Sequence, residues 1–437
     1  MPYDIIIGRN DSDKKLFGKK GLVKLGKGYV HMGQYTSLSN PIFLDVARSH
    51  VVLVAGKRGS GKSYTLGAIA EEISDLDFEE KQNIASLIFD TMGIFWTMKY
   101  ENEKEKNLLS EWDLKPKKLP INVFAPLGKF KEYQDMNIPV DMPFALKVSE
   151  MNAEDWILLF GLGIIDPVSV LIERTIYFLK DRNKDYDVSD IIETLSIAKG
   201  VSEDDKNAAI GLFEAASTWG VFAVKGVKET EIVDLLTPGV TTVIDLSTFS
   251  SVGAFNVRAM VIGLVSRKLF NERMAARKIE EIEAVRHGAN YLSYQSKRKT
   301  PLAWIFIDEA HEFLPKTGKT LATDSLVQIL REGRQPGLSL VLATQQPGQI
   351  HKDVMTQSDI VISHRLTAAP DIQALNDIMQ TYLLEGIRKS IDDLPNLKGS
   401  AIVLDDNSER LYPMRVRPRF TWHGGEAPTA VRVEGRV

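Results

Sequence analysis

The stretch Ser49–Ile73, "SHVVLVAGKRGSGKSYTLGAIAEEI", reads as three things in succession. The unbroken apolar run Val51–Ala55 is a strand covered on both faces, because a half-exposed strand would alternate apolar and polar residues. The loop Gly56–Ser63 matches the pattern G-x-x-x-x-G-K-[ST]. Helix-period residues follow, with Leu66, Ile69, Ala70 and Ile73 on one face. A glycine loop between a strand and a helix turns backbone N–H groups and a helix N-terminus toward an anion. Gly56, Lys57, Arg58, Gly59, Ser60, Gly61, Lys62 and Ser63, with Tyr64 just beyond, are therefore expected to hold the phosphates of ATP. Lys62 reaches the β and γ phosphates, and Ser63 ligates Mg²⁺. A solvated glycine turn would use the same letters; the flanking strand and helix favour the phosphate loop.

Further continuous runs, "IASLIFDTMGIFW", "LPINVFAP", "GVTTVIDLSTF", "AWIFIDEAHEFLP" and "LSLVLATQQP", extend the strand pattern. Such runs predict an α/β fold, a P-loop NTPase core on a largely parallel sheet. Residues 1–45 form a small β-rich unit, a partial barrel in character, and 46–147 the first part of the ATPase core. Residues 148–235 switch to helix period and read as a helical insertion, 236–420 complete the core, and 421–437 are a C-terminal tail or brace. "DIVISHRL", "GSAIVLDD" and "LYPMRVRPRF" are expected to be edge strands.

With 44% hydrophobic and 26% charged residues the composition is globular, and no apolar run approaches the roughly 20 residues of a membrane helix. The N-terminus lacks a signal-peptide pattern, so a cytoplasmic location without membrane association is expected. Zero cysteines exclude disulfides, thiolate zinc sites and thiol catalysis. A net charge of -4 provides no global basic field, so any DNA contact must be local or built from several subunits.

Hydrolysis needs an acid for the metal shell and a group for the attacking water, both near the γ-phosphate. "WIFIDEA" ends a strand with Asp308, expected to hold the Mg²⁺ water shell, and Glu309, expected to orient and deprotonate water. The letters DEAH, Asp308–His311, also name a helicase class, but its other motifs are missing here. Gln345 follows the run "LSLVLAT"; if its strand neighbours that of Asp308, its amide reports on the γ-phosphate. Arg331 and Arg334 stand at a helix end, where cations favour the dipole, and alternatively act in a neighbouring subunit's site.

"GKRGSGKS", "FDTMGIFW", "WIFIDEAHEFLP", "LREGRQPGLSLVLATQQP", "SHRLTAAPDIQAL" and "RPRFTWHGG" together resemble the HerA branch of the HerA/FtsK translocases. The resemblance covers roughly residues 40–130 and 236–425, and its most specific piece is "REGRQPGLSLVLATQ". It implies a RecA-like, hexameric ring ATPase that pumps duplex DNA, working with a nuclease or other effector in DNA end processing or anti-phage defence. It also implies that Lys62, Ser63, Asp308, Glu309 and Gln345 have the roles given above, and that Arg334 acts on the adjoining subunit. Asp90 matches the family's acid after the second core strand, and Arg365 an arginine further along the sheet. The N-terminal segment is shorter than the β-barrel usual in the family, and the insertion at 148–235 carries no transferable motif. The loop "QSKRKT", with Lys297, Arg298 and Lys299 and no acid, is expected to form a DNA-phosphate collar in a ring. Two rivals remain: an ATP-gated scaffold that activates an effector without translocating, and a motor for a protein substrate.

Overall fold

Thirteen strands make one sheet in the computed structural model, which describes residues 3–32, 35–182, 185–249, 256–287, 298–378 and 394–426. In chain order they are β1 Ile5–Ile7, β2 Leu22–Met32, β3 Tyr35–Asp45, β4 Val51–Ala55, β5 Ile84–Asp90, β6 Ile121–Pro126 and β7 Met142–Phe144. Then come β8 Thr241–Asp245, β9 Leu302–Ile307, β10 Leu338–Thr344, β11 Ile360–His364, β12 Ser400–Asp405 and β13 Arg410–Val416. Their spatial order is β1-β3-β2-β13-β12-β11-β4-β10-β9-β5-β8-β6-β7. From β11 to β7 every pairing is parallel, whereas β12, β13 and β2 pair antiparallel.

Both faces of the parallel part are covered, as continuous apolar runs require. Along β10, Leu338, Leu340 and Leu342 face one core while Val341 and Ala343 face the other. The second face packs against helix α2, Lys62–Ser74, whose Leu66, Ile69, Ala70 and Ile73 are all buried as their spacing predicts. A shorter helix, α1, precedes it at Asp11–Phe17. The first face packs against the helix Val257–His287 and the helices Ala153–Leu159, Pro167–Arg182, Val188–Ser196 and Glu203–Ser217, which lie within the stretch expected to be helical.

Two expectations change at the sheet's far side. β11, β12 and β13 are interior strands, because the β2–β3 hairpin and β1 continue the sheet beyond β13. Edge and interior strands look alike when the covering strands lie hundreds of residues away in sequence. The group Arg9–Asp45–His50–Asp359, buried apart from the half-buried Asp359, ties this extension to the core: Arg9 Nη2 donates to Asp45 at 2.5 Å, and His50 Nδ1 lies 2.6 Å from Asp359. Residues 417–423, at the junction of core and tail, fold back on α2 of the same chain; residues beyond 426 lie outside the described part.

Candidate nucleotide-binding site

Register places the expected site residues at one end of adjacent parallel strands. Ala55 pairs with Thr344, Leu342 with Ile307, and Ser363 with Ala55, so the phosphate loop, Gln345, Asp308 and His364 all emerge together. This is the C-terminal edge of the parallel strands, where open α/β sheets bind ligands.

The loop is shaped by its glycines at two points. Gly61 caps α2 with φ 110, a conformation costly for any residue with a Cβ. At Gly56 an added Cβ would sit 2.7 Å from the Cβ of His364. His364, buried at the end of β11, therefore floors the loop: its Nδ1 faces the Ser400 carbonyl at 3.0 Å and its Nε2 faces Thr65 Oγ1 at 2.9 Å. Burial pushes this imidazole down to about 4, so it stays neutral under the phosphate loop. Lys57 N–H donates to the Arg365 carbonyl at 3.0 Å, which fixes the start of the loop. Lys57 and Arg58 are exposed, and Lys62 is buried with Nζ 3.4 Å from the Lys57 carbonyl.

Ser63 and Asp308, expected to share the metal, meet: Ser63 Oγ donates to Asp308 Oδ2 at 2.5 Å. One hydroxyl and one carboxylate fit Mg²⁺, which takes few protein ligands and completes its octahedron with phosphate oxygens and water. Buried Ser60 Oγ and Glu309 Oε2 have no hydrogen-bond partner among the described residues, so the site also has polar groups to offer a ligand.

Glu309 is held in the left-handed region at φ 51 and ψ 43, which costs on the order of 1–3 kcal/mol in a residue with a side chain. The turn Glu309–Glu312 is closed by Glu312 N–H donating to the Glu309 carbonyl at 2.9 Å. Burial first, then the neighbouring Asp308 carboxylate, pushes Glu309 up to about 7; Lys62 and the Gln345 backbone N–H partly oppose this. A carboxylate near neutrality is matched to accept a proton from water at ordinary pH. His311 is a structural neighbour, with Nδ1 3.1 Å from Thr344 Oγ1.

Other expected residues stand elsewhere. Asp90 is buried at the end of β5 and accepts from the backbone N–H groups of Met92, Gly93 and Phe95 at 3.2, 2.8 and 2.7 Å. It caps the turn after β5, with β9 and β10 between its strand and β4, so it does not join the phosphate loop. Arg365 gives the loop its carbonyl; its side chain turns to Asn396 at 2.9 Å. Arg331 is tied to Asp353 at 2.6 Å, whereas Arg334 is exposed in the turn before β10 with no ion-pair partner among the described residues.

The residues expected to form a DNA-phosphate collar differ in their surroundings. Lys297 lies outside the described residues, Lys299 is exposed, and Arg298 Nη1 donates to Glu280 at 2.5 Å with its side chain only 15% exposed. Glu280 also accepts from buried Arg273, so what looks in sequence like a loop without acids borrows one from the preceding helix. Neither His364 nor Glu71 stood out in the sequence. The one available signal was a polar residue inside an otherwise apolar strand or helix face.

A family model described as "Helicase HerA, central domain" matches residues 30–268, and one described as "Zonular occludens toxin (Zot)" matches 252–382. The DNA double-strand break repair helicase HerA of Pyrococcus furiosus is 28% identical over 188 residues, 40% of this chain and 32% of that protein. The probable HerA of Methanocaldococcus jannaschii is 21% identical over 333 residues, 72% of this chain and 61% of that protein. The chain thus spans less than two thirds of either relative's length. VirB4 of Thermoanaerobacter pseudethanolicus shares the fold at 12% identity and TM-score 0.53, covering 91% of this chain and 96% of that one. With the central-domain model matching more than half of its residues, the chain belongs to the HerA central-domain family.

Proposed function

We propose that this chain is a ring-forming ATPase that couples ATP hydrolysis to movement along duplex DNA. The observation that carries the hydrolytic part is the meeting of Ser63 and Asp308 at 2.5 Å, beside Lys62 and Glu309. Lys62 neutralises the β and γ phosphates. Ser63 and Asp308 would hold Mg²⁺, which would supply further neutralisation of the phosphate charge. Glu309 takes a proton from water as the water oxygen bonds to the γ-phosphorus and the bond to the β–γ bridging oxygen breaks, giving ADP and phosphate. Gln345, at the end of β10 next to β9, is assigned the contact with the reacting phosphate.

Arg334 is proposed to serve a neighbouring copy. It precedes β10, whose seven residues span about 23 Å at ~3.3 Å per residue, so it stands at the end of the sheet opposite its own Lys62. An exposed arginine placed so far from its own site suits action in trans. The DNA part rests on relatives named as DNA double-strand break repair helicases, and a nuclease or other effector partner is proposed on the family resemblance alone.

The test is triplex displacement with hydrolysis measured in parallel. Translocation predicts ATP-dependent release of a third strand from duplex DNA, and turnover stimulated by duplex. An ATP-gated scaffold would hydrolyse ATP and bind DNA with no strand released, and a protein motor would respond to unfolded polypeptide in place of duplex.

A further inference from the structure

The phosphate loop leaves open what meets the base. Tyr64 directly follows Ser63 in the first turn of α2, next to where a nucleotide held on the loop amides would lie. There the C-terminal segment returns. Glu71, buried in α2, accepts from Arg417 Nη1, Arg419 Nε, Phe420 N and Thr421 N at 3.1, 2.9, 2.8 and 3.1 Å, and from Thr421 Oγ1. This clasp brings His423 edge-on to Tyr64, with ring centroids 5.3 Å apart and planes at 79°.

Both rings are fixed by what surrounds them. Tyr64 Oη donates to Glu105 at 2.6 Å and accepts from Arg419 N–H at 2.7 Å, which uses its hydroxyl, and the Arg419 guanidinium lies over its ring at 5.9 Å from the centroid. His423 Nδ1 accepts from Arg419 Nη1 at 3.2 Å, so the neutral ring carries its proton on Nε2. Burial first, then Arg419, keeps the imidazole well below its ordinary value, at about 3. No hydrogen-bond partner of Nε2 occurs among the described residues. The Gly425 backbone passes close to that ring edge, since a Cβ there would lie 2.7 Å from Nε2.

We infer that Tyr64 and His423 form the nucleobase end of the site, selecting a purine by contact with its ring face and by a hydrogen bond from His423 Nε2–H to a purine ring nitrogen. A two-ring base is long enough to cover the aromatic corner while presenting an acceptor nitrogen at its edge; a pyrimidine held by the same phosphates is shorter. His423 thus depends on a buried ion pair made between α2 and the segment after β13. This assignment rests on the phosphate-loop reading given under Proposed function.

Equilibrium binding of ATP, CTP and inorganic tripolyphosphate to the full chain separates the two. His423→Ala should weaken ATP about tenfold, the scale of one lost hydrogen bond with its packing, and leave CTP and tripolyphosphate unchanged. His423→Gln should retain most ATP affinity, because its amide can accept from Arg419 and donate from nitrogen. Unchanged ATP affinity in His423→Ala would overturn the assignment while the phosphate site stands, provided Lys62→Ala abolishes binding of all three. Equal loss of all three ligands in His423→Ala would also overturn it, since the residue would then act through the phosphate loop. Failure of the unaltered chain to bind any of them would remove the phosphate reading itself.

Discussion

Glu309 and Arg334 show how backbone position assigns chemistry to single side chains. Glu309 leaves β9 in a left-handed conformation that keeps its carboxylate beside Lys62 and Asp308, a strain tolerable where orientation matters more than stability. Arg334 and Arg331 sit three residues apart and look equivalent in sequence, yet Arg331 is already paired with Asp353. Arg334→Ala should therefore lower steady-state turnover by about 10³-fold with ATP affinity nearly unchanged, the scale of a lost trans-acting arginine. Arg331→Ala should cost at most about 1 kcal/mol of stability, its ion pair being half exposed, and spare turnover. Comparing kcat with nucleotide binding checks the turnover of the two variants, and chemical denaturation checks the stability of Arg331→Ala. The phosphate loop and the Asp308–Glu309 pair were legible as candidates because their residues are contiguous, and the contact of Ser63 with Asp308 brings the two segments together. The pairing of Arg298 with Glu280 was not legible, because the two lie 18 positions apart, beyond the reach of local pattern.

Helix α2 serves two sites at once. Its N-terminal turn continues the phosphate loop, and its middle presents Glu71 to the returning C-terminal segment. Burial opposes ionisation of Glu71, but the Arg419 and Arg417 guanidinium groups outweigh it and hold the carboxyl below its usual value. Breaking such a buried group is costly because the remaining charges stay unpaired. Glu71→Gln is expected to lose about 3–5 kcal/mol in chemical denaturation, with the midpoint shifted and the surrounding segment more open to proteolysis. A loss below about 1 kcal/mol would show that the segment is held by its apolar contacts instead. Helix periodicity correctly predicted the apolar face of α2. It did not reveal Glu71, since a buried glutamate and a solvated one have the same letter and its partners lie almost 350 positions further on.

At the scale of the whole chain, one sheet joins the N-terminal hairpin, the parallel core and the last strands, so stability should respond to charge at the junction. His50 sits there between Asp359 and Asp45. Burial pushes its imidazole toward neutrality, but the two carboxylates together raise it to about 9. A raised value means that the contribution is fully present below the unfolded value near 6.5 and is lost as pH rises through about 9. The magnitude is on the order of 3 kcal/mol. Denaturation of the unaltered chain across pH 6–10 should show this decline, and His50→Gln should flatten it; parallel curves would exclude His50 as the cause. Continuous apolar runs made the parallel core readable, whereas the joining of distant β2 and β13 was not, because pairing between strands so far apart leaves no local signature. The central claim is that Lys62, Ser63, Asp308 and Glu309 surround one ATP and that Glu309 activates water. The most direct measurement is ATP binding and hydrolysis by Glu309→Gln: retained affinity with turnover reduced at least about 10²-fold is predicted. Hydrolysis at the unaltered rate would contradict the assignment.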